Sequence, residues 1–242
     1  MPQVAIVAAV RRELRPLLRS WARVDVRYGA VRYTVYESRK LQAVAVCGGM
    51  GTAAARKATE ALLSLGKPEL LVSVGFAGAL KPHWKAGDLF APRFIVDSSG
   101  GSKYSAGGGT GVLLTSHDVH DASAKKMIAE AAEAEAVDME GSAVADVALK
   151  HGVKFAALKA ISDESQATLP PLGRFIRPNG RFSTIAFLAA AATRPEWWSS
   201  IWALAGNSSR ASKALSRELE SLLRSGDWEK LKGPSYAFEG SR

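Results

Sequence analysis

A chain of 242 residues, 47% apolar and 23% charged, is long enough for one well-packed α/β domain and too hydrophobic to be disordered. Its single cysteine, Cys47, excludes an internal disulfide and fits a reducing compartment. The net charge of +9 raises nucleic acid as a partner, but no helix-turn-helix, zinc or aromatic RNA-binding pattern accompanies it. A solvated basic face, or attraction to anionic lipid, is the better reading.

Val4 to Ala9 predicts a buried first strand. Positive charge follows this short apolar run instead of preceding it, which argues against a signal peptide and for a cytoplasmic protein. Arg11 to Trp21 predicts a helix with Leu14, Leu17, Leu18 and Trp21 on one face. By itself Glu13 is a helix-start glutamate favoured by the macrodipole. Nine Lys or Arg lie between Arg11 and Lys40, against Glu13, Asp25 and Glu37. Val31 to Tyr36 and Leu41 to Cys47 read as neighbouring strands. The second leads through Gly48-Gly49-Met50-Gly51 into a helix from Thr52 to about Leu65. That glycine turn can cradle an anion or be a plain tight turn; its spacing fits neither the P-loop nor the dinucleotide fingerprint.

Leu70 to Val74 predicts the next buried strand, running into Gly75-Phe76-Ala77-Gly78-Ala79-Leu80, with Gly87-Asp88-Leu89-Phe90 beyond. Asp97 to Gly111, rich in Gly and Ser, predicts a loop. Val112 to Thr115 predicts a short strand before Ser116-His117-Asp118-Val119-His120-Asp121. Two histidines three apart beside aspartates are a weak metal pattern; polar pocket lining or a helix cap at Asp121 serves as well.

From Ala136 to Ser165 the pattern is a helix followed by a buried strand. The helix begins near Glu140, carries Ala143, Val144, Val147 and Ala148 on one face, and stops at His151-Gly152. Val153 to Ile161 is nearly continuous in apolar residues, as in a strand covered on both faces. Ser162-Asp163-Glu164 emerges at its carboxyl end, where open α/β sheets bind ligands. Glu140 and Asp163 are therefore candidates for one shared pocket. Lys159 either steadies a pocket carboxylate or reaches solvent.

Beyond Asp163 come Leu169-Pro170-Pro171, Arg177-Pro178-Asn179-Gly180-Arg181 and Thr193-Arg194-Pro195-Glu196-Trp197-Trp198. Trp198, Ile201 and Trp202 are at helical spacing, and a final helix from about Ser208 to Arg224 aligns Ala211, Leu215, Leu219, Leu222 and Leu223. The expected organisation is an α/β domain over residues 1–168 and a helical extension over 169–242 packed on it. The tryptophans pack against the domain or a second subunit, or serve a large apolar substrate group or a membrane surface.

Met139-Glu140-Gly141-Ser142-Ala143-Val144-Ala145 followed by Lys159-Ala160-Ile161-Ser162-Asp163 resembles the nucleoside phosphorylase and nucleosidase superfamily. Within it, the resemblance is to the methylthioadenosine/S-adenosylhomocysteine nucleosidases. With Gly75–Leu80 and Gly87–Phe90, four ordered motifs carry the resemblance over roughly the first two thirds of the chain. It implies a single α/β domain with a mixed, twisted central β-sheet flanked by helices, here with a helical C-terminal extension. The implied activity is hydrolysis of the N-ribosidic bond of a 5′-substituted adenosine, releasing adenine, with no metal and no cofactor.

Carried over residue by residue, Met139 and Glu140 hold the ribose, and Asp163, helped by Ser162, protonates the purine at N7. Asp163 must carry its proton before transfer, and burial favours the neutral acid. Glu13 takes the place of the acid that activates water; Phe76, Ala77 and Gly78 belong to the pocket wall. Val119 stands where the family usually presents an aromatic to adenine. Two other departures matter: Phe76 replaces a small hydroxyl residue that helps hold phosphate in phosphorylases, and Lys159 replaces an arginine.

A homodimer is implied, with the Asp97–Gly111 segment approaching the neighbouring site. The tail looks more like the hopanoid-associated members, which remove adenine from adenosylhopane. The alternatives are a phosphorylase using Arg11, Arg12 or Arg56 as phosphate clamp, and a nucleoside-binding module without catalysis.

Overall fold

A computed structural model describes residues 2–117, 122–177 and 179–227. Its centre is β1 (Val4–Ala8), buried at every position, which pairs in parallel with β4 (Ala43–Cys47) on one side and β5 (Leu70–Ala79) on the other. β2 (Ala22–Tyr28) and β3 (Val31–Ser38) form an antiparallel hairpin that extends this edge beyond β4. α1 (Thr52–Leu63) follows β4 through the glycine turn and packs Ala55, Ala58, Ala61 and Leu62 inward.

β5 is the strand that both halves of the sheet share. Its first half lies beside β1, and its far end meets β10 (Ala136–Asp138) in antiparallel register. β6 (Leu89–Phe90), β7 (Phe94–Asp97), β8 (Lys103–Ser105) and β9 (Val112–Thr115) build the other flank, with β9 and β7 beyond β10 and β8 at the edge. α2 (Ala122–Ala132) and α3 (Gly141–Lys150) bracket β10 in sequence. β11 (Lys154–Asp163) pairs in parallel with β5 along Leu70–Gly78, with a register shift between Ile161 and Asp163. This is the expected single α/β domain with a mixed sheet flanked by helices.

A short 3₁₀ turn at Leu172–Phe175, α4 (Thr184–Ala192) and α5 (Trp198–Ser225) complete the described chain. α5 buries Ala211, Leu215, Leu219, Leu222 and Leu223 in the same core cluster as Ile6, Leu14, Leu70 and Leu158. It ends at Gly226, whose φ of 67° lets its N–H reach the Leu222 carbonyl.

Several expected boundaries change. Arg11 to Trp21 is a chain of turns with one 3₁₀ turn at Leu17–Arg19, not a helix. Pro16 lacks an amide for a longer helix, and Glu13 spends its carboxylate on the Val10 amide instead of facing solvent. The face survives the change: Leu14, Leu17, Leu18 and Trp21 are all buried. The Asp97–Gly111 loop contains β8, α5 starts ten residues before the expected Ser208, and β2 and β10 are strands outside the expected set.

Candidate active site

Three strand ends converge here. Glu13, which follows β1, turns inward and is 4% exposed. Its Oε2 accepts from the Val10 amide at 2.9 Å and its Oε1 from the Phe76 amide at 3.0 Å. Burial raises its pKa above the ordinary glutamate value, opposed by those two amides and by the Lys159 ammonium. Gly75 makes room: a Cβ there would sit 2.8 Å from Glu13 Oε1.

Glu140 stands at the start of α3 without capping it. Its Oε1 accepts instead from the Gly51 amide at 2.8 Å. Gly51 has φ +91°, a conformation other residues rarely adopt, so the glycine turn serves to aim an N–H at this carboxylate. Burial, then Asp138 and Glu13, push the Glu140 pKa up to about 8, while Lys159 and the Gly51 amide pull the other way. Glu13 and Glu140 are therefore near enough for the charge of Glu13 to raise the proton affinity of Glu140. Met139 precedes Glu140 and is half-buried.

Lys159 does not reach solvent. It is 1% exposed, pairs with Asp138 at 2.8 Å and donates to Ser73 Oγ at 3.0 Å. Asp138 also accepts from Thr115 Oγ1 at 2.7 Å and from the Gly141 amide at 2.9 Å, so it anchors the start of α3. Neither Asp138 nor its part in the site is visible in the sequence motifs.

Asp163 closes β11 and is 7% exposed. Ser162 Oγ lies 2.6 Å from its Oδ1 and 3.4 Å from the Ala77 carbonyl. Its Oδ2 pairs with Lys125 of α2, a lysine only 2% exposed that also donates to the Glu164 carbonyl at 3.1 Å. This cation on the expected acid is the residue that sequence reasoning missed. A Cβ on Gly78 would meet Asp163 Oδ2 at 2.8 Å and Lys125 Nζ at 3.3 Å.

A cavity of about 270 Å³ opens beside Asp163, lined by Ala167, Thr168, Leu169 and the α5 residues Ser199, Ser200, Ala203, Leu204 and Asn207. Glu13 and Glu140 are not among its lining residues. The two parts of the site adjoin along β5: Glu13 holds the Phe76 amide, and Asp163 registers against Gly78. The Phe76 ring packs half-buried on the core, and Ala77 is 2% exposed. Val119 lies outside the described residues, as do Asp118, His120 and Asp121. His117 Nδ1 is 3.3 Å from Thr52 Oγ1. Among the described residues no group of three His, Cys, Asp or Glu could hold a metal ion.

A family model described as the phosphorylase superfamily matches residues 3–124 and 109–171. No curated protein sequence matches. Among solved structures, a 5′-methylthioadenosine nucleosidase from Arabidopsis thaliana superposes with a TM-score of 0.71 at 18% identity, covering 93% of this chain and 95% of that one. A futalosine hydrolase from Helicobacter pylori gives 0.68 at 16% identity, with 92% and 97% covered. A 5′-methylthioadenosine/S-adenosylhomocysteine nucleosidase from the same organism, bound to butyl-thio-DADMe-Immucillin-A, gives 0.64 at 18% identity, with 92% and 99% covered. At these identities the likeness is one of fold.

Proposed function

The chain belongs to the phosphorylase superfamily, and we propose that it is a nucleosidase that hydrolyses the N-ribosidic bond of a 5′-substituted adenosine and releases adenine. The observation that carries water, not phosphate, as nucleophile is the placement of Glu13. Its carboxylate takes the Phe76 amide, a backbone donor near the carboxyl end of β5 that an anion would otherwise use. Negative charge there repels phosphate, and the Phe76 side chain offers no hydroxyl in its place. The candidate clamps are engaged elsewhere: Arg56 pairs with Asp146, Arg11 lies 5.7 Å over the Tyr36 ring, and Arg12 reaches the Ala205 carbonyl at 3.4 Å.

In this reading Glu13 accepts the proton of water as the water oxygen bonds to the anomeric carbon. The raised Glu13 pKa makes its carboxylate a stronger base once ionised. Glu140, beside Met139, accepts from the ribose hydroxyls and, in its ionised form, stabilises the positive charge that grows on the sugar. The bond from that carbon to the purine breaks with its electron pair leaving on adenine. The Lys125–Asp163 pair holds the proton that goes to N7, and Ser162 fixes the second carboxyl oxygen. Residues 1–168 would carry this chemistry, with 169–242 packed on them. The working unit would be a cytoplasmic homodimer.

Mass spectrometry of adenine release from methylthioadenosine, S-adenosylhomocysteine and adenosylhopane identifies the 5′ group. Glu13→Gln should stop hydrolysis, and added phosphate should not restore it. Ribose 1-phosphate as a product in phosphate buffer would replace this reading with the phosphorylase.

A further inference from the structure

The described chain ends in an apolar surface that the active site does not use. α4 is Thr-Ile-Ala-Phe-Leu followed by four alanines, yet only Ala191 is buried. Its Phe187 packs edge-on against Phe175 at 5.3 Å and near Phe182 at 5.5 Å, which holds the helix down. The remaining face stands in solvent, with Ile185 85% exposed and Leu188 59% exposed. The first turn of α5 is tied to it: Trp198 Nε1 donates to the Ala191 carbonyl at 2.8 Å. Trp198 and Trp202 are 51% and 77% exposed. Packing against the domain, the alternative open at the sequence level, does not hold for these two rings.

Nor are they pocket wall. Ser199, Ser200 and Ala203 look into the cavity beside Asp163. At about 100° per residue, Trp198 and Trp202 lie on roughly the opposite side of the same helix. A substrate group in that cavity would not cover them.

Charge selects the occupant. From Gln166 to Arg217 the sequence holds seven Lys or Arg and one carboxylate, Glu196. All seven, among them Arg174, Arg177, Arg181 and Arg194, are exposed. A second copy meeting this face about a two-fold axis would set cations against cations. An anionic bilayer complements both parts: headgroups meet the arginines, while Ile185, Leu188 and the two indoles enter the interface, where tryptophan is favoured. We propose that α4 and the first turns of α5 form a docking face for an anionic membrane surface. It leaves the pocket on the other side of α5, and it stands whether or not the chain is a nucleosidase.

The test is flotation of the full chain with vesicles of phosphatidylcholine containing about one third phosphatidylserine, compared with phosphatidylcholine alone. The wild type should float with the anionic vesicles at low salt and be released as salt rises, each well-placed arginine contributing about fivefold in partitioning. Ile185→Glu/Trp202→Glu should lose binding at least tenfold while its thermal midpoint stays that of the wild type. Quenching of wild-type tryptophan emission by brominated acyl chains gives the same answer without a variant. A wild type that stays down with anionic vesicles and is not quenched overturns the proposal. So does a wild-type dimer in solution that the double variant turns into monomer, which would assign the face to a second copy.

Discussion

Asp163 and Lys125 form a buried ion pair at the point where the proposed reaction would protonate the leaving purine, and each partner's role can be separated by substitution. Asp163→Asn keeps the shape but can neither take a proton from Lys125 nor pass one on. Turnover should fall about a hundredfold to ten-thousandfold while purine binding persists, and near-normal turnover would remove Asp163 from the chemistry. Lys125→Met should cost tenfold or more and change the shape of the pH–rate profile, whereas a merely structural lysine would leave the profile's shape alone. Glu140 makes a prediction about stability. Folding raises its pKa from 4.5 to about 8, so across that window the native chain keeps a proton that the unfolded chain has released. Stability contributed at this site is therefore lost as pH rises through the window. Urea midpoints measured near pH 5 and near pH 8 should diverge less in Glu140→Gln than in the wild type. The acids were legible because Met139-Glu140 and Ser162-Asp163 are local patterns at element ends. Lys125 and Asp138 were not, because their meaning comes from what α2 and β10 fold against.

β5 shows how an element can be read correctly as a strand and still hide its purpose. Its apolar half, Leu70–Val74, announces burial; the half that matters is Gly75–Gly78, where absent side chains leave room for two carboxylates. Gly78→Ala tests this. The new Cβ would crowd Asp163 Oδ2 at 2.8 Å and the end of Lys125 at 3.3 Å, so the pair must shift while the strand stays paired. Turnover should drop sharply with little change in thermal midpoint; a large loss of stability with normal specific activity would contradict it. The neighbouring elements were read less well for physical reasons. β2 reads Ala-Arg-Val-Asp-Val-Arg-Tyr and alternates apolar with charged residues, but six of its seven positions are exposed, so the alternation does not mark a buried face. It is a charged edge strand, a form that discourages pairing with other chains. The 11–21 segment shows one apolar face at helical spacing because its leucines all point into the core, although the backbone is mostly turns.

At the scale of the whole molecule, the tail is joined to the rest by its hydrophobic stripe, by hydrogen bonds from α5 such as Ser212 Oγ to the Arg12 carbonyl, and by a loop. The stripe was legible from its spacing, and it sits in the cluster that also holds Val4, Ile6, Trp21 and Val72. The loop was not: Gly180 offers its carbonyl to the Met50 amide at 2.7 Å, so the tail also closes on the glycine turn that positions Glu140. No helix among the described residues is long and apolar enough to cross a membrane, which leaves surface docking as the membrane role open to α4 and α5. An extension packed this way cannot melt by itself without exposing the face of β5 and β11 that α5 covers. Leu219, fully buried in that cluster, is the point at which to test the coupling. Leu219→Ala should cost about 2–5 kcal/mol, the range for deleting a buried leucine side chain. The loss should appear as a lower midpoint of one shared urea transition, followed both by tryptophan emission, sensitive to the tail, and by far-ultraviolet circular dichroism, sensitive to the sheet. Two separated transitions, with the tail melting first and the sheet unmoved, would make residues 169–242 an appendage and not part of the core.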